Sequence, residues 1–369
     1  GDTDDLERDR TLGLTYTHVF TPKLVNDLKF SHTWYKAGND FVLRDKNYGK
    51  EWGIYTESTS KGSPRILMYT QGFQRFDIGN AGANIRDNRN LYIKDTLVWL
   101  KNNHTISMGG DFKRQAYDWL YESTGAGGAF YFGLLEGAPN LDRFYLATGS
   151  VFSSLLMGVT PYVDYSLQDQ SNKLRRNMFA VFIQDDWKVS PRLTLNLGLR
   201  YDQESPFSEI SNRFATLNFE TGKVRYAKGA PKLDLVKFPY EADGPNRPYE
   251  PSKLNFAPRV GFAFRPFNDS STAIRGGYGI FYTSETAFST VYGSWVAPFA
   301  GQFHYAPKAF FLNEPTDRFV TIDKKPYRLD EFKGKTPGFA LFNAPYYPTG
   351  YMQQWNLSVA RYLGKNFAL

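Results

Sequence analysis

The chain has 369 residues, with 44 Lys and Arg against 37 Asp and Glu, a formal charge of +7, and no cysteine. The lack of cysteine excludes a disulfide framework and a thiolate metal site. Mean hydropathy is −0.47, and no apolar run approaches the roughly eighteen residues of a membrane helix, which excludes a helical membrane protein. The basic residues are scattered among acidic ones, so mixed charge on solvated loops is the expectation and no nucleic-acid partner is.

Aromatic residues make up 17% of the chain, while 32 Gly and 20 Pro punctuate it throughout. Many short strands joined by turns require such punctuation. The first strand pattern comes at once. Leu12, Leu14, Tyr16, His18 and Phe20 alternate with Thr11, Gly13, Thr15 and Thr17, then turn at Thr21-Pro22-Lys23. The return arm sets Leu24, Leu28, Phe30 and Trp34 against Val25, Asp27, Lys29, Ser31 and Thr33. Residues 36–90 then show no sustained period.

The second hairpin, Leu91 to Gln115, turns at Lys101-Asn102-Asn103-His104, and Asp95 interrupts its apolar face. Residues 117–175 are again irregular. Phe152 to Gly158 reads as a short apolar helix, and Tyr162 to Gln168 as one further strand. The third hairpin is the clearest. Leu193, Leu195, Leu197, Leu199 and Tyr201 oppose Arg192, Thr194, Asn196, Gly198, Arg200 and Asp202 without a break, so that one face is apolar and the other polar or small. Its partner arm, Met178 to Trp187, alternates likewise, and the turn is placed at Lys188 to Pro191. Arms of about ten residues have the length of a tilted strand crossing a bilayer.

Residues 203–253 form another long connection, with a small hairpin at Leu217 to Tyr226 turning at Thr221-Gly222. The fourth hairpin opposes Phe256, Val260, Phe262 and Phe264 to Ala257, Arg259, Gly261 and Ala263, turns at Pro266 to Ser270, and returns through Ile274, Tyr278, Ile280 and Tyr282. After residues 283–351, a fifth begins with Trp355, Leu357 and Val359 and turns near Gly364. The fold class expected is all-β: a partial antiparallel up-and-down transmembrane β-barrel of about ten to twelve strands. Its turns near 22, 102, 190, 268 and 364 alternate with four connections too long for a compact soluble domain. An outer-membrane barrel expects that asymmetry, with short periplasmic turns and long extracellular loops.

The aromatics Trp34, Trp99, Trp187, Tyr201, Tyr282 and Trp355 fall toward strand ends on the apolar face, as a membrane girdle does. Arg200, Arg259, Arg275 and Asp186 sit on polar faces and are lumen-facing candidates. Asp185 and Asp186 point to opposite faces and cannot act as a catalytic pair. The four histidines (18, 32, 104 and 304) have no ligand spacing, although His18 and His32 flank one turn and are placed to face each other. Gly125 to Gly128 reads as a loop tip. No nucleophile elbow or phosphate-binding glycine motif occurs. No catalytic residue, metal site or cofactor is therefore expected, and the substrate-binding residues are unassigned.

The segments QDDW (184–187) with SPRLTLNLGLRYD (190–202), PRVGFAF with RGGYGIFY (258–264, 275–282), and QQWNLSVARYLGKN (353–366) resemble the barrel of TonB-dependent outer-membrane receptors, nearest to their Oar-like branch. The resemblance covers about a third of the chain. It implies a barrel of about 22 strands with a plugged lumen, and energised uptake of a scarce large solute such as an iron chelate, cobalamin, glycan or peptide. Membrane lipid, TonB and the plug would be its partners. No plug or TonB-contacting segment is seen in the sequence. The opening GDTDDLERDR has no signal-peptide pattern, and both ends read as cut from a longer protein. The rival reading is a soluble β-sandwich or propeller, a glycan-binding or adhesion module that would bury its leucines between sheets.

Overall fold

The computed structural model describes residues 3–41, 46, 48–53, 63–69, 75–79, 83–121, 129–133, 151–156, 159–160, 162–166, 171–236, 239–267, 271–284, 287–295, 298–299, 302–305, 310–311, 348–364 and 367–368. Ten strands form one continuous antiparallel meander: β1 (Thr3–Thr21), β2 (Leu24–Phe41), β3 (Asn84–Lys101), β4 (His104–Tyr121), β5 (Asn172–Ser190), β6 (Leu193–Glu204), β7 (Phe256–Phe264), β8 (Thr272–Tyr282), β9 (Tyr351–Gly364) and β10 (Phe367–Ala368). The short strand Ser208–Glu209 pairs with the outer part of β5 as an eleventh member. Each strand of the meander neighbours the next in sequence, the order that up-and-down closure requires. Among the described residues β1 and β10 remain its two edges.

Local chemistry sets the hairpins. Pro22 and Lys23 form the first turn, where Lys23 N–H donates to Thr21 Oγ1 at 3.2 Å. The second closes on Asn102 and Asn103, with Asn102 at φ 55°, a left-handed conformation that asparagine tolerates. In the third, Ser190 Oγ accepts from the backbone N–H groups of Arg192 (3.2 Å) and Leu193 (3.1 Å). Here the strand runs on to Ser190, and the turn is Pro191-Arg192, later than the Lys188 start read from sequence.

The outer strands are also longer than expected. β1, β2, β3, β4 and β5 each span 18 or 19 residues, whereas about 9–11 suffice for a bilayer. Lys36, Asp40, Asp87 and Asp118 end the apolar alternation but not the backbone ladder, because a strand above the bilayer needs no apolar face. The irregular stretches therefore begin later and end earlier than the sequence boundaries of 36–90 and 117–175, running from 42 to 83 and from 122 to 171.

Those connections have structure of their own. Arg65–Tyr69, Arg75–Ile78, Ala129–Gly133, Tyr162–Ser166 and Gln302–Tyr305, drawn from three of them, form one five-stranded sheet. It buries Leu67, Met68, Phe130 and Phe132. The expected strand at Tyr162 and helix at Val151–Leu156 are present, although Phe152 and Leu156 are exposed rather than packed. Gly125 to Gly128 lies outside the described residues. Ala215–Leu217 and Val224–Ala227 pair as the expected small hairpin, with Gly222 at φ 67°, and Tyr240–Gly244 adds a parallel third strand. Tyr226 is fully buried there, and desolvation pushes its phenol well above the usual range.

Candidate functional site: two opposed faces of one sheet

Strand alternation and ladder register together divide the sheet into two continuous faces. One carries rows of apolar side chains. Leu14, Phe30, Ile93, Phe112 and Phe179 lie in register across five strands. Two rows nearer the turns, Leu97, Met108, Ile183 and Leu199 do the same. This face is uncovered: Leu14 is 61% exposed, Val181 53% and Leu357 69%. A β-sandwich would bury these residues against a second sheet, so the soluble alternative does not describe this chain.

The opposite face is polar and internally bonded. Arg200 Nη1 reaches Asp111 at 2.9 Å, two strands away, and its Nε reaches Asp202 at 2.8 Å. Asn196 Nδ2 donates to Asp186 Oδ1 at 2.6 Å. Two adjacent rows, Asn196–Gly261–Gly277–Asn356 and Gln184–Gly198–Arg259–Gly279–Gln354, line a trough of about 700 Å³. Its floor is glycine and its walls are amides. The Arg259 guanidinium lies 4.6 Å from the Phe281 ring centroid at one end.

Farther from the short turns, connecting segments fold down onto this same face. The helix Phe288–Ser294 and the residues after β6 pack Val291 and Phe207 against Trp119 and Leu174 of β4 and β5. Thr290 Oγ1 donates to the Phe207 carbonyl at 3.0 Å. Arg176, nearly buried, pairs with Glu204 and donates to Gln115 Oε1 at 2.6 Å. The polar face is thus the loop-covered one, and the leucine face its uncovered reverse.

Trp34, Trp99, Trp187, Tyr201, Tyr282 and Trp355 all lie on the leucine face by register. Trp99 and Trp187 stand near the short turns. Trp34, Tyr201 and Tyr282 stand farther from them, whereas Trp355 shares the row of Leu197, Val260 and Tyr278, well inside its strand rather than at its end. Arg200, Arg259, Arg275 and Asp186 lie on the polar face. Asp111 and the trough were not singled out in the sequence. The glycines at 198, 261, 277 and 279 were its only signal, and their alignment needs the register of three strands.

His18 and His32 do not face each other. His18 pairs with Asn26, and His32 with Leu12, because the turn is only two residues long and offsets them along the ladder. His104 instead contacts Asp185, its Nδ1 2.6 Å from Oδ2. Asp185 and Asp186 do point to opposite faces. Among the described residues no group of three or more His, Asp or Glu is placed to hold a metal, and no described helix is long and apolar enough to cross a membrane.

A single twisting meander with a bare leucine face and a bonded polar face defines the wall of a transmembrane β-barrel. The whole chain, residues 1–369, matches the family described as outer membrane beta barrel domain, and it belongs to that family. It is accordingly a bacterial outer-membrane protein whose strands form barrel wall. Among solved structures it is similar to the outer membrane transporter YddB from Escherichia coli, at 10% identity and a TM-score of 0.47, over 98% of this chain and 33% of that one. It is also similar to the ferric-catecholate import receptor Fiu from E. coli K12. The closed form matches at 12% identity and TM-score 0.39, over 76% of this chain and 33% of that one. The open form matches at 12% and 0.36, over 75% and 36%. The chain thus spans about a third of the length of these structures. No curated protein matches it significantly.

Proposed function

We propose that this chain forms the wall of a TonB-dependent receptor that binds a scarce large solute and passes it inward with energy delivered by TonB. The single observation that carries the reading is the asymmetry of the meander. Turns as short as two residues close one end, while long connections fold over the polar face at the other. In this reading the short turns lie in the periplasm and the long connections outside. Trp99 and Trp187 form the inner girdle and Trp34, Tyr201 and Tyr282 the outer one, while Trp355 faces lipid within the band. Arg200, Arg259, Arg275 and Asp186 face the lumen, where the amide trough with its glycine floor lets a plug backbone approach closely.

The solute is an iron chelate, cobalamin, a glycan or a peptide, and the Oar-like branch is the nearest relationship. The test is uptake in cells. Deleting the gene and, separately, deleting TonB should each abolish high-affinity accumulation of one such solute from a labelled panel. Uptake that persists without TonB would contradict the reading.

A further inference from the structure

The loop-covered end of the polar face carries a cluster of aromatic rings. Three successive rows reach it: Asp9–Tyr35–Asn88–Tyr117–Leu174, Glu7–Ala37–Arg86–Trp119–Asn172 and Asp5–Asn39–Asn84–Tyr121. Trp295, just after the helix Phe288–Ser294, closes on them. It stacks on Tyr121, with centroids 5.2 Å apart and planes 19° from parallel. Its centroid lies 5.2 Å from that of Trp119 and 5.6 Å from that of Tyr292. Trp119 is buried, whereas Tyr117, Tyr121, Tyr292 and Trp295 keep part of their surface open.

Three polar atoms around these rings are buried with no hydrogen-bond partner among the described residues: Asn172 Nδ2, Trp295 Nε1 and Asn88 Oδ1. Asn172 is only 2% exposed, and its Oδ1 is already taken by Ser294 Oγ. The neighbouring Trp119 Nε1, by contrast, donates to Asn84 Oδ1 at 2.8 Å. An unpaired buried donor or acceptor is costly, so three around one cluster point to an occupant that completes them. Two donors and one acceptor call for groups that both accept and donate. A hydroxyl does both, whereas a carboxylate only accepts.

Charge selects further. The same three rows carry Asp5, Glu7 and Asp9 against one cation, Arg86, whose guanidinium lies 5.2 Å from the Trp119 ring centroid. Arg176, one row nearer the short turns, is paired with Glu204. Three carboxylates against one cation disfavour an anionic chelate and leave a neutral solute unaffected. The negative ring faces suit the C–H face of a sugar ring.

We infer that this cluster binds one ring of an uncharged glycan, whose hydroxyls accept from Asn172 Nδ2 and Trp295 Nε1 and donate to Asn88 Oδ1. The inference rests on the receptor reading above. It names the solute as a neutral oligosaccharide rather than an iron chelate, cobalamin or a peptide.

The test is calorimetry on the purified chain in phosphatidylcholine nanodiscs, titrated with uncharged trisaccharides of glucose, xylose, mannose and galactose. At least one of them should bind, with an affinity that salt does not change. Trp295→Phe, which keeps a ring and removes the N–H, should weaken that binding about two- to ten-fold, and Asn88→Leu should do the same. Trp99→Phe, on the leucine face, should change nothing. Ferric citrate and a neutral tripeptide, titrated alike, should show no affinity that Trp295→Phe alters.

Failure of every trisaccharide to bind would overturn the inference and leave the three atoms to ordered water. Saccharide binding that both variants leave unaltered would overturn it too, as would ferric citrate or tripeptide binding that Trp295→Phe weakens. If the variants do not fold, saturation transfer from aromatic protons to the bound saccharide decides the matter on the unaltered chain; its absence overturns the inference. Uptake is scored separately. A bound glycan that enters cells without TonB contradicts the receptor reading and leaves this site standing. TonB-dependent uptake of a chelate by a chain that binds no saccharide does the reverse.

Discussion

His104 and Asp185 meet on the leucine face, Nδ1 to Oδ2 at 2.6 Å, although 81 residues separate them in sequence. The His104 ring stacks on Trp187, with centroids 5.3 Å apart and planes 15° from parallel. Asp185 stands in the row of Trp99, Ile106 and Leu197, and its Oδ1 is buried without a hydrogen-bond partner. The histidine is therefore what makes a carboxylate tolerable at this edge of the apolar band.

Removing one partner leaves the other exposed to that environment. His104→Ala should destabilise the folded barrel by about 1–3 kcal/mol. Adding Asp185→Leu should restore much of the loss, since leucine suits its row. Urea unfolding of the two single variants and the double variant in lipid vesicles measures this. A double variant less stable than His104→Ala would contradict it.

A second polar group lies deeper in the band. Asn26 Nδ2 donates to Asp95 Oδ1 at 2.6 Å, with Asp95 between Ile93 and Leu97 on the same face. Asp95→Leu should be neutral or stabilising, because it removes a carboxylate from among leucines. Leu197→Arg should cost about 2–4 kcal/mol, whereas Thr194→Arg on the polar face should stay within about 0.5 kcal/mol. The same unfolding measurement checks all three.

Gly109 lets β3 and β4 close together. A methyl group there would come within 2.1 Å of the Asp95 carbonyl oxygen and 3.1 Å of the Thr96 Cα. Gly109→Ala should cost about 1–3 kcal/mol through displacement of the ladder. Gly13→Ala, whose added carbon meets nothing within 4 Å, should cost none. Hydrogen exchange of the β3–β4 amides distinguishes them: protection should fall only in the first variant.

The small sheet at Ala215 to Gly244 gives a pH prediction. The hydrogen bond from Arg225 holds the Asp243 carboxyl below the usual carboxylate range, and hydrogen bonds from Asn218 and Thr221 do so for Glu241. For carboxyls lowered on folding, the stabilisation is full above the unfolded value and is lost as pH falls through the folded one. Protection of the Val224–Ala227 amides should therefore be constant near neutrality and decline only below the usual carboxylate range. The decline should be modest, because both carboxyls are solvated. Protection that rises on acidification would contradict the assignment.

Much of this was legible in sequence because a strand's period is two and its turns have their own chemistry. Leu193 to Tyr201 could be read as a wall strand from its own residues, as could Pro22, Asn102 and Pro191 as turns. The outer reaches of β2 and β5 could not, since Lys36, Asp40 and Lys173 obey the ladder without alternating in polarity. Asp95 was visible as a break in an apolar face, but its partner Asn26 depends on the register between hairpins. The same holds for Asp185 with His104, and for the glycine-floored trough. Cross-strand sites belong to the sheet rather than to any segment, and a single sequence carries no register between distant hairpins.

The most direct test of the account is the environment of consecutive positions along Leu193 to Tyr201. Single nitroxide labels in the chain reconstituted into vesicles can be read for collision with oxygen, which enters lipid, and with a water-soluble nickel chelate. A two-residue period is predicted, with oxygen dominant at 195, 197 and 199 and the nickel chelate dominant at 196, 198 and 200. Odd positions shielded from both reagents would mean that the leucine face is covered by protein, and would contradict a membrane-spanning wall.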